Sequence, residues 1–290
     1  MRQAKLIYIG AMMIFGSIGL VSRNILLSSG QIALTRGIIG SVFLLLAGRV
    51  LKERISWRKI KPNLLLLIIS GVGIGFNWIL MFEAYKYTSI ANATLSYYFA
   101  PVFVVLVSPF LLKERLTTLK VGCILAALGG MFLIVGNGTG GRNHVIGIGY
   151  GLAAAVLYAS VVILNKFLKG LSGLETTIIQ ISAATLVLFP YILLTEQIKI
   201  FHIDMKSAVF LVIMGFIHTG LAYLMYFTGM KKLKGQTVAV LSYTDPIFAI
   251  LMSGLFLGEG LSMLQLLGGA LILGATLLSE VFDRKQCQRT

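Results

Sequence analysis

The sequence predicts an all-α integral membrane protein, with ten transmembrane helices arranged as two inverted five-helix repeats. Three observations carry this reading. Of the 290 residues, 57% are hydrophobic and 12% are charged, and the mean hydropathy is +0.91; an ordinary soluble domain carries about 25% charged residues. A shift of 145 positions lays part of the chain on itself without a gap. The basic residues fall mainly on alternate loops.

A span needs about 20 mainly apolar residues. Ten windows supply them, at about 5–23, 31–48, 63–83, 90–112, 119–136, 147–168, 174–195, 207–229, 236–257 and 263–282. The first resembles a signal peptide in position, but it lacks a small-residue cleavage site. Its Gly16-Ser17 and Arg23 are echoed by Ala159-Ser160 and Lys166, so it reads as a retained helix. The break Asn137-Gly-Thr-Gly-Gly-Arg-Asn143 is glycine-rich and falls midway, as a linker does. The expected units are therefore 1–136, a linker at 137–146, a second repeat at 147–282 and a tail at 283–290.

The repeat is clearest between Tyr98 and Gly129. There the shift pairs Tyr98 with Tyr243, Pro101 with Pro246, Glu114 with Glu259 and Gly129 with Gly274, among 11 identities in 32 positions. Shared apolar composition explains some of the leucines but not the paired prolines and glutamates. Internal repeats of this kind define the unit that folds.

Orientation follows from Lys and Arg. With the N-terminus in the cytoplasm, 19 basic residues lie on the cytoplasmic side and 5 outside, with Arg36 left inside a helix. Both termini are then cytoplasmic. Five helices per half is an odd number, so the second half enters the membrane from the opposite side and the repeats are inverted. Inverted repeats recur in secondary transporters, where two similar halves exchange conformations around a central site.

These features resemble the drug/metabolite transporter superfamily, specifically its ten-helix members with two EamA domains. The resemblance rests on Pro101 through Glu114 followed by 119–135, on Pro246 through Glu259 followed by 264–278, and on the run from Glu83 to Ala93. It covers essentially the whole chain and implies export or exchange of small metabolites without ATP, in many members coupled to protons. The short loops point to a bacterial inner membrane.

Few polar residues sit at depth. An ionisable group inside a span is costly and a functional candidate by default. Asp245 precedes Pro246 near the midplane, and its repeat equivalent is Ala100, so the charge is not part of the shared scaffold; a structural salt bridge is the alternative. As a titratable group it is a candidate proton carrier, together with His218 in span eight, whose unperturbed titration lies near physiological pH. His218 can equally be a packing histidine. Glu83 lies near the outer end of span three beside Asn77 and Trp78, on one polar strip. Arg36 can pair with Glu83, with Asp245 or with a substrate carboxylate, or snorkel to the interface. Trp78, Phe82, Tyr97, Tyr98, Tyr223, Tyr226 and Tyr243 cluster in four spans and can line a cavity by stacking and cation–π contact, or pack between helices. Pro101 and Pro246 remove a backbone hydrogen bond at matching depth, as hinges or static kinks. Glu114 and Glu259 end their helices, where charge pairing with loop bases is the simpler account and gating the other.

Several classes are excluded or disfavoured. No His-Glu-x-x-His, Gly-x-Ser-x-Gly or paired aspartates support an intramembrane enzyme. No Walker lysine motif supports an ATP-driven pump, and Cys123 and Cys287 share no metal spacing. No cofactor is implied, and the net charge of +15 is spread over membrane-flanking loops rather than gathered as for nucleic acid. The expected partners are the bilayer, a small-molecule substrate and possible protons. Asp245 and the aromatics favour amines and Arg36 favours a carboxylate, so amino acids satisfy both; nucleosides or nucleotide sugars are the alternative.

Overall fold

A computed structural model describes residues 2–52, 55–111, 118–136, 141–197, 203–230, 241–242, 244–260 and 262–287. All regular structure among them is helical. Each of the ten predicted windows carries helix. Seven helices are long and apolar enough to cross a membrane: α1 (Arg2–Ser22), α2 (Ser29–Val50), α3 (Trp57–Tyr87), α4 (Ile90–Leu111), α6 (Gly141–Lys166), α7 (Gly173–Thr195) and α8 (Met205–Tyr226). The others are α5 (Thr118–Gly136), α9 (Thr244–Leu257) and α10 (Met263–Cys287), whose qualifying apolar stretches are shorter. Leu46, Leu65, Phe110, Phe132, Leu186 and Leu255 are exposed on six different helices. Water would penalise such a girdle, whereas hydrocarbon does not.

Short polar residues start the helices. Ser28 caps α2, Ser89 caps α4 and Asp204 caps α8, each accepting from the N–H three residues on. Ser172 with Glu175 makes a reciprocal capping box at α7, and Ser262 with Gln265 does the same at α10. These bonds satisfy N–H groups that no preceding turn can reach.

The packing is paired. Helix α1 packs on α8 and α6 on α3; α2 packs on α8 and α7 on α3; α1 packs on α9 and α6 on α4. The pairs α5·α10, α2·α7 and α4·α9 map onto themselves. Exchanging each helix for its counterpart five places along reproduces these contacts. Close approach depends on small residues: Gly71 faces Ala183 and the Gln180 carbonyl, and Gly130 faces the Gly268 carbonyl.

Three helices depart from regularity in mid-membrane. Helix α1 is interrupted at Ser17, α4 at Tyr98–Phe99, and α8 widens into a π-helix over Met214–Leu221. The break in α4 corrects the expectation that Pro101 sits inside a continuous helix. Its second piece runs Ala100–Leu111, so Pro101 lies in a first turn, where a missing N–H costs nothing. Pro246 lies in α9, close behind the helical residues 241–242. Glu114 and residues 137–140 of the expected linker lie outside the described residues.

Candidate functional site

The irregular segments meet at one cluster. In α2, Arg36 is 3% exposed, and among the described residues no carboxylate pairs with it. Its Nε donates to Thr219 Oγ1 at 3.0 Å. Its Cζ lies 4.4 Å from the Trp78 ring centroid and 5.5 Å from that of Phe82. A planar, weakly hydrated guanidinium suits such stacking better than an ammonium would. Trp78 therefore joins the cluster through the cation it covers.

Asp245 lies in α9, just before Pro246, and is half-buried. Its Oδ2 accepts from the Tyr98 hydroxyl at 2.9 Å, and among the described residues no cation pairs with it. The break at Tyr98–Phe99 lies beside this hydroxyl, which reaches α9 at Asp245. The Tyr98 hydroxyl also lies 3.4 Å from the Ser242 carbonyl, and Tyr8 and Ser242 hydroxyls are 2.8 Å apart. Aromatic rings continue outward from here. Tyr97 contacts Tyr98 and Tyr158, while Phe15 contacts Tyr223 and Tyr226. Tyr85 is buried at the end of α3, where its carbonyl accepts from Arg23 Nη2. Tyr243, expected in this group, lies outside the described residues.

Other expected members go elsewhere. His218, 3% exposed, places Nε2 at 2.9 Å from Ser17 Oγ, not on Asp245. Asn77 donates to the Ala154 carbonyl at 2.6 Å and so ties α3 to α6. Glu83 pairs with Lys86 one turn on, at 3.0 Å, rather than with Arg36. Glu259 is not served by a neighbouring base: it pairs with Arg23 of the distant α1–α2 loop. It also accepts from the Ile90 N–H at 2.9 Å and from Ser253 Oγ. Arg23 Nη2 in turn donates to the carbonyls of Thr88, at 2.8 Å, and Tyr85, at 3.1 Å.

Beside this ion pair lies a cavity of about 350 Å³, lined by Ser22, Arg23, Ile25, Ile32, Phe82, Tyr85 and Lys86. That volume lies within the usual range for small-molecule sites, roughly 300–1,000 Å³. Phe82 is common to the cavity and the cluster, and it connects the cavity to Arg36. Sequence reasoning did not single out Tyr85, Thr219, Ser17 or Arg23 as a partner of Glu259. Thr219 had one available signal, as a second polar residue beside His218 in an apolar run.

The profile of the EamA-like transporter family matches residues 3–136 and again 145–280. The chain belongs to this family. Its relatives include the "Uncharacterized transporter YxxF" of Bacillus subtilis (strain 168), 30% identical over 93% of this chain and 87% of that protein. The "Protein PecM" of Dickeya dadantii (strain 3937) is 25% identical over 88% of this chain and 84% of its own. A solved crystal structure with 22% identity aligns over 98% of this chain and 99% of that one, at a TM-score of 0.65. It shares the fold. An EamA-family chain with these apolar helices is a multi-pass membrane transporter.

Proposed function

We propose that this EamA-family transporter moves amino acids or closely related amines as a secondary transporter, working by alternating access. The observation that carries the reading is the pair Arg36 and Asp245. These opposite charges are joined through the α8 π-helical stretch and the α1 break, and neither has a countercharge among the described residues. A zwitterion supplies both missing partners, its carboxylate on Arg36 and its ammonium on Asp245 with Tyr98. An uncompensated charge at membrane depth is otherwise expensive.

The paired packing supports alternating access, because two halves making equivalent contacts have two equivalent ways to rock. The ends of α1, α3 and α9 and the start of α4 are tied by Arg23 and Glu259, and this tie must part when that face opens. Pro101, which follows the break in α4, and its repeat counterpart Pro246 are the proposed hinges. Asp245 is the proposed proton carrier. His218 holds α1 through Ser17, which leaves it a weaker candidate. The distribution of basic residues favours cytoplasmic termini, the short loops favour a bacterial inner membrane, and export is the expected direction.

The test is flux in proteoliposomes under an imposed pH gradient, with labelled amino acids, amines and nucleosides, for the wild type and Asp245→Asn. Gradient-driven amino-acid flux lost in the variant supports the reading. Flux of nucleosides alone overturns the substrate class, and unchanged coupling in Asp245→Asn removes Asp245 as the proton carrier.

A further inference from the structure

In the π-helical stretch of α8, Met214–Leu221, each N–H reaches back five residues instead of four. Such wide turns are uncommon and concentrate at functional sites. Under the 145-residue shift, the stretch corresponds to 69–76 of α3, where the helix is regular. The same shift sets Arg36 against Ile181, His218 against Gly73 and Thr219 against Ile74. The π turn and the polar residues around it are thus peculiar to one half.

The widened turn gives Thr219 two roles. Its hydroxyl donates to the Met214 carbonyl five residues back, at 3.2 Å, and accepts from Arg36 Nε at 3.0 Å. Trp78 covers one face of the same guanidinium. With Nε held and a face covered, the edge bearing the two terminal nitrogens is left without a partner among the described residues. That edge receives a carboxylate in the bidentate, end-on geometry. The adjacent His218 reaches Ser17, at the break in α1, and Gly16 beside it packs on the backbone of Asp245. Gly215 against Ile39 and Gly220 against Phe43 fix the stretch closely to α2, the helix that carries Arg36.

We propose that the π-helical stretch is the positioning element of the site. Thr219 aims Arg36 at the substrate carboxylate, while His218 anchors the same stretch to the α1 break against Asp245. Thr219 is a positioning residue, acting through Arg36. This rests on the reading of Arg36 as carboxylate anchor, and the test separates the two.

Trp57 and Trp78 are the two tryptophans, so a Trp57→Phe background makes Trp78 a reporter of the stacked guanidinium without any substrate. In purified protein, Thr219→Val and Thr219→Ala change the Trp78 emission and its quenching by acrylamide, and Thr219→Ser does not. In proteoliposomes, Thr219→Val raises KM for amino acids about tenfold, as expected for losing one hydrogen bond to a charged group. Flux of the matching primary amines, which lack the carboxylate, stays as it was, and Thr219→Ser restores the amino-acid KM. Unchanged Trp78 signals in the valine and alanine variants, or equal KM effects on amino acids and amines, overturn the positioning role. If Arg36→Gln also leaves amino-acid KM unchanged, the carboxylate anchor itself is wrong. If Arg36→Gln raises KM and Thr219→Val does not, only the positioning role falls.

Discussion

Arg36 and Asp245 carry opposite charges into one cluster, linked through Thr219, His218, Ser17 and Gly16, without forming an ion pair with each other. Instead, Arg36 stacks on Trp78 and Asp245 accepts from Tyr98. Direct pairing would satisfy both and leave nothing for a ligand to do. Held apart, they suit the proposed substrate, a dipole with a carboxylate at one end and an ammonium at the other.

Removing one anchor therefore discriminates among substrates. Arg36→Gln keeps a polar side chain but loses the charge. It raises KM for amino acids about 30-fold or more, the scale for losing one partner of a buried charge pair, while primary amines are transported as before. Initial rates over a concentration series measure this. A loss shared equally by amino acids and amines means Arg36 serves the fold.

The helices and the lone charges were legible in the sequence because each is written locally. A long apolar run specifies a span, and Arg36 or Asp245 stands out against one. The Glu83–Lys86 pair is local too, one helical turn apart. What was not legible depends on geometry between distant segments. Arg36 meets Trp78 and Thr219 only after three helices pack, and Arg23 finds Glu259 from the other end of the chain. The π turn has no compositional signature, since it adds one residue to a turn rather than changing residue types. Pro101 read as a kink because the break at Tyr98–Phe99 cannot be seen in a continuous apolar pattern.

Gly16 tests how tightly the α1 break must sit against α9. A Cβ there would lie 2.5 Å from the Asp245 carbonyl oxygen and 3.1 Å from the Ala249 nitrogen. Backbone atoms cannot rotate away, so α1 must shift. Gly16→Ala is expected to destabilise the protein by about 1–3 kcal/mol, as overpacking does, and to depress flux. Gly122→Ala is the control, because nothing lies within 4 Å of its added carbon. Thermal unfolding in detergent compares them, and equal melting temperatures would refute the close packing.

Asp204 gives a pH dependence outside the membrane. Hydrogen bonds from the Ser207 hydroxyl and N–H hold its pKa below the ordinary value of 3.8. A depressed native pKa stabilises the fold above the unfolded value and loses that contribution as pH falls through the native one. The Ser207 hydroxyl also accepts from the Leu26 N–H at 3.0 Å, so the cap steadies the α1–α2 loop. Melting temperature should fall more steeply below about pH 4 in the wild type than in Asp204→Asn, which caps without titrating. Parallel curves would remove Asp204 from the acid response.

The tie between Arg23 and Glu259 makes the last prediction, about access. Glu259 has two tasks: its charge meets Arg23, and one oxygen caps the Ile90 N–H at the start of α4. Glu259→Gln removes the charge yet keeps an acceptor, so the helix start survives while the tie weakens. Ile32, which lines the adjacent cavity at 2% exposure, is the reporter position. A single cysteine there, with Cys123 and Cys287 replaced by serine, should react severalfold faster with an impermeant maleimide in Glu259→Gln and in Arg23→Gln. The double variant should add nothing further, because either change already breaks the same pair. Exchanging the charges, Arg23→Glu with Glu259→Arg, should restore part of the protection. It cannot restore all, since arginine has no acceptor for the Ile90 N–H. Labelling rates that ignore all four changes would show that this ion pair does not hold the face closed.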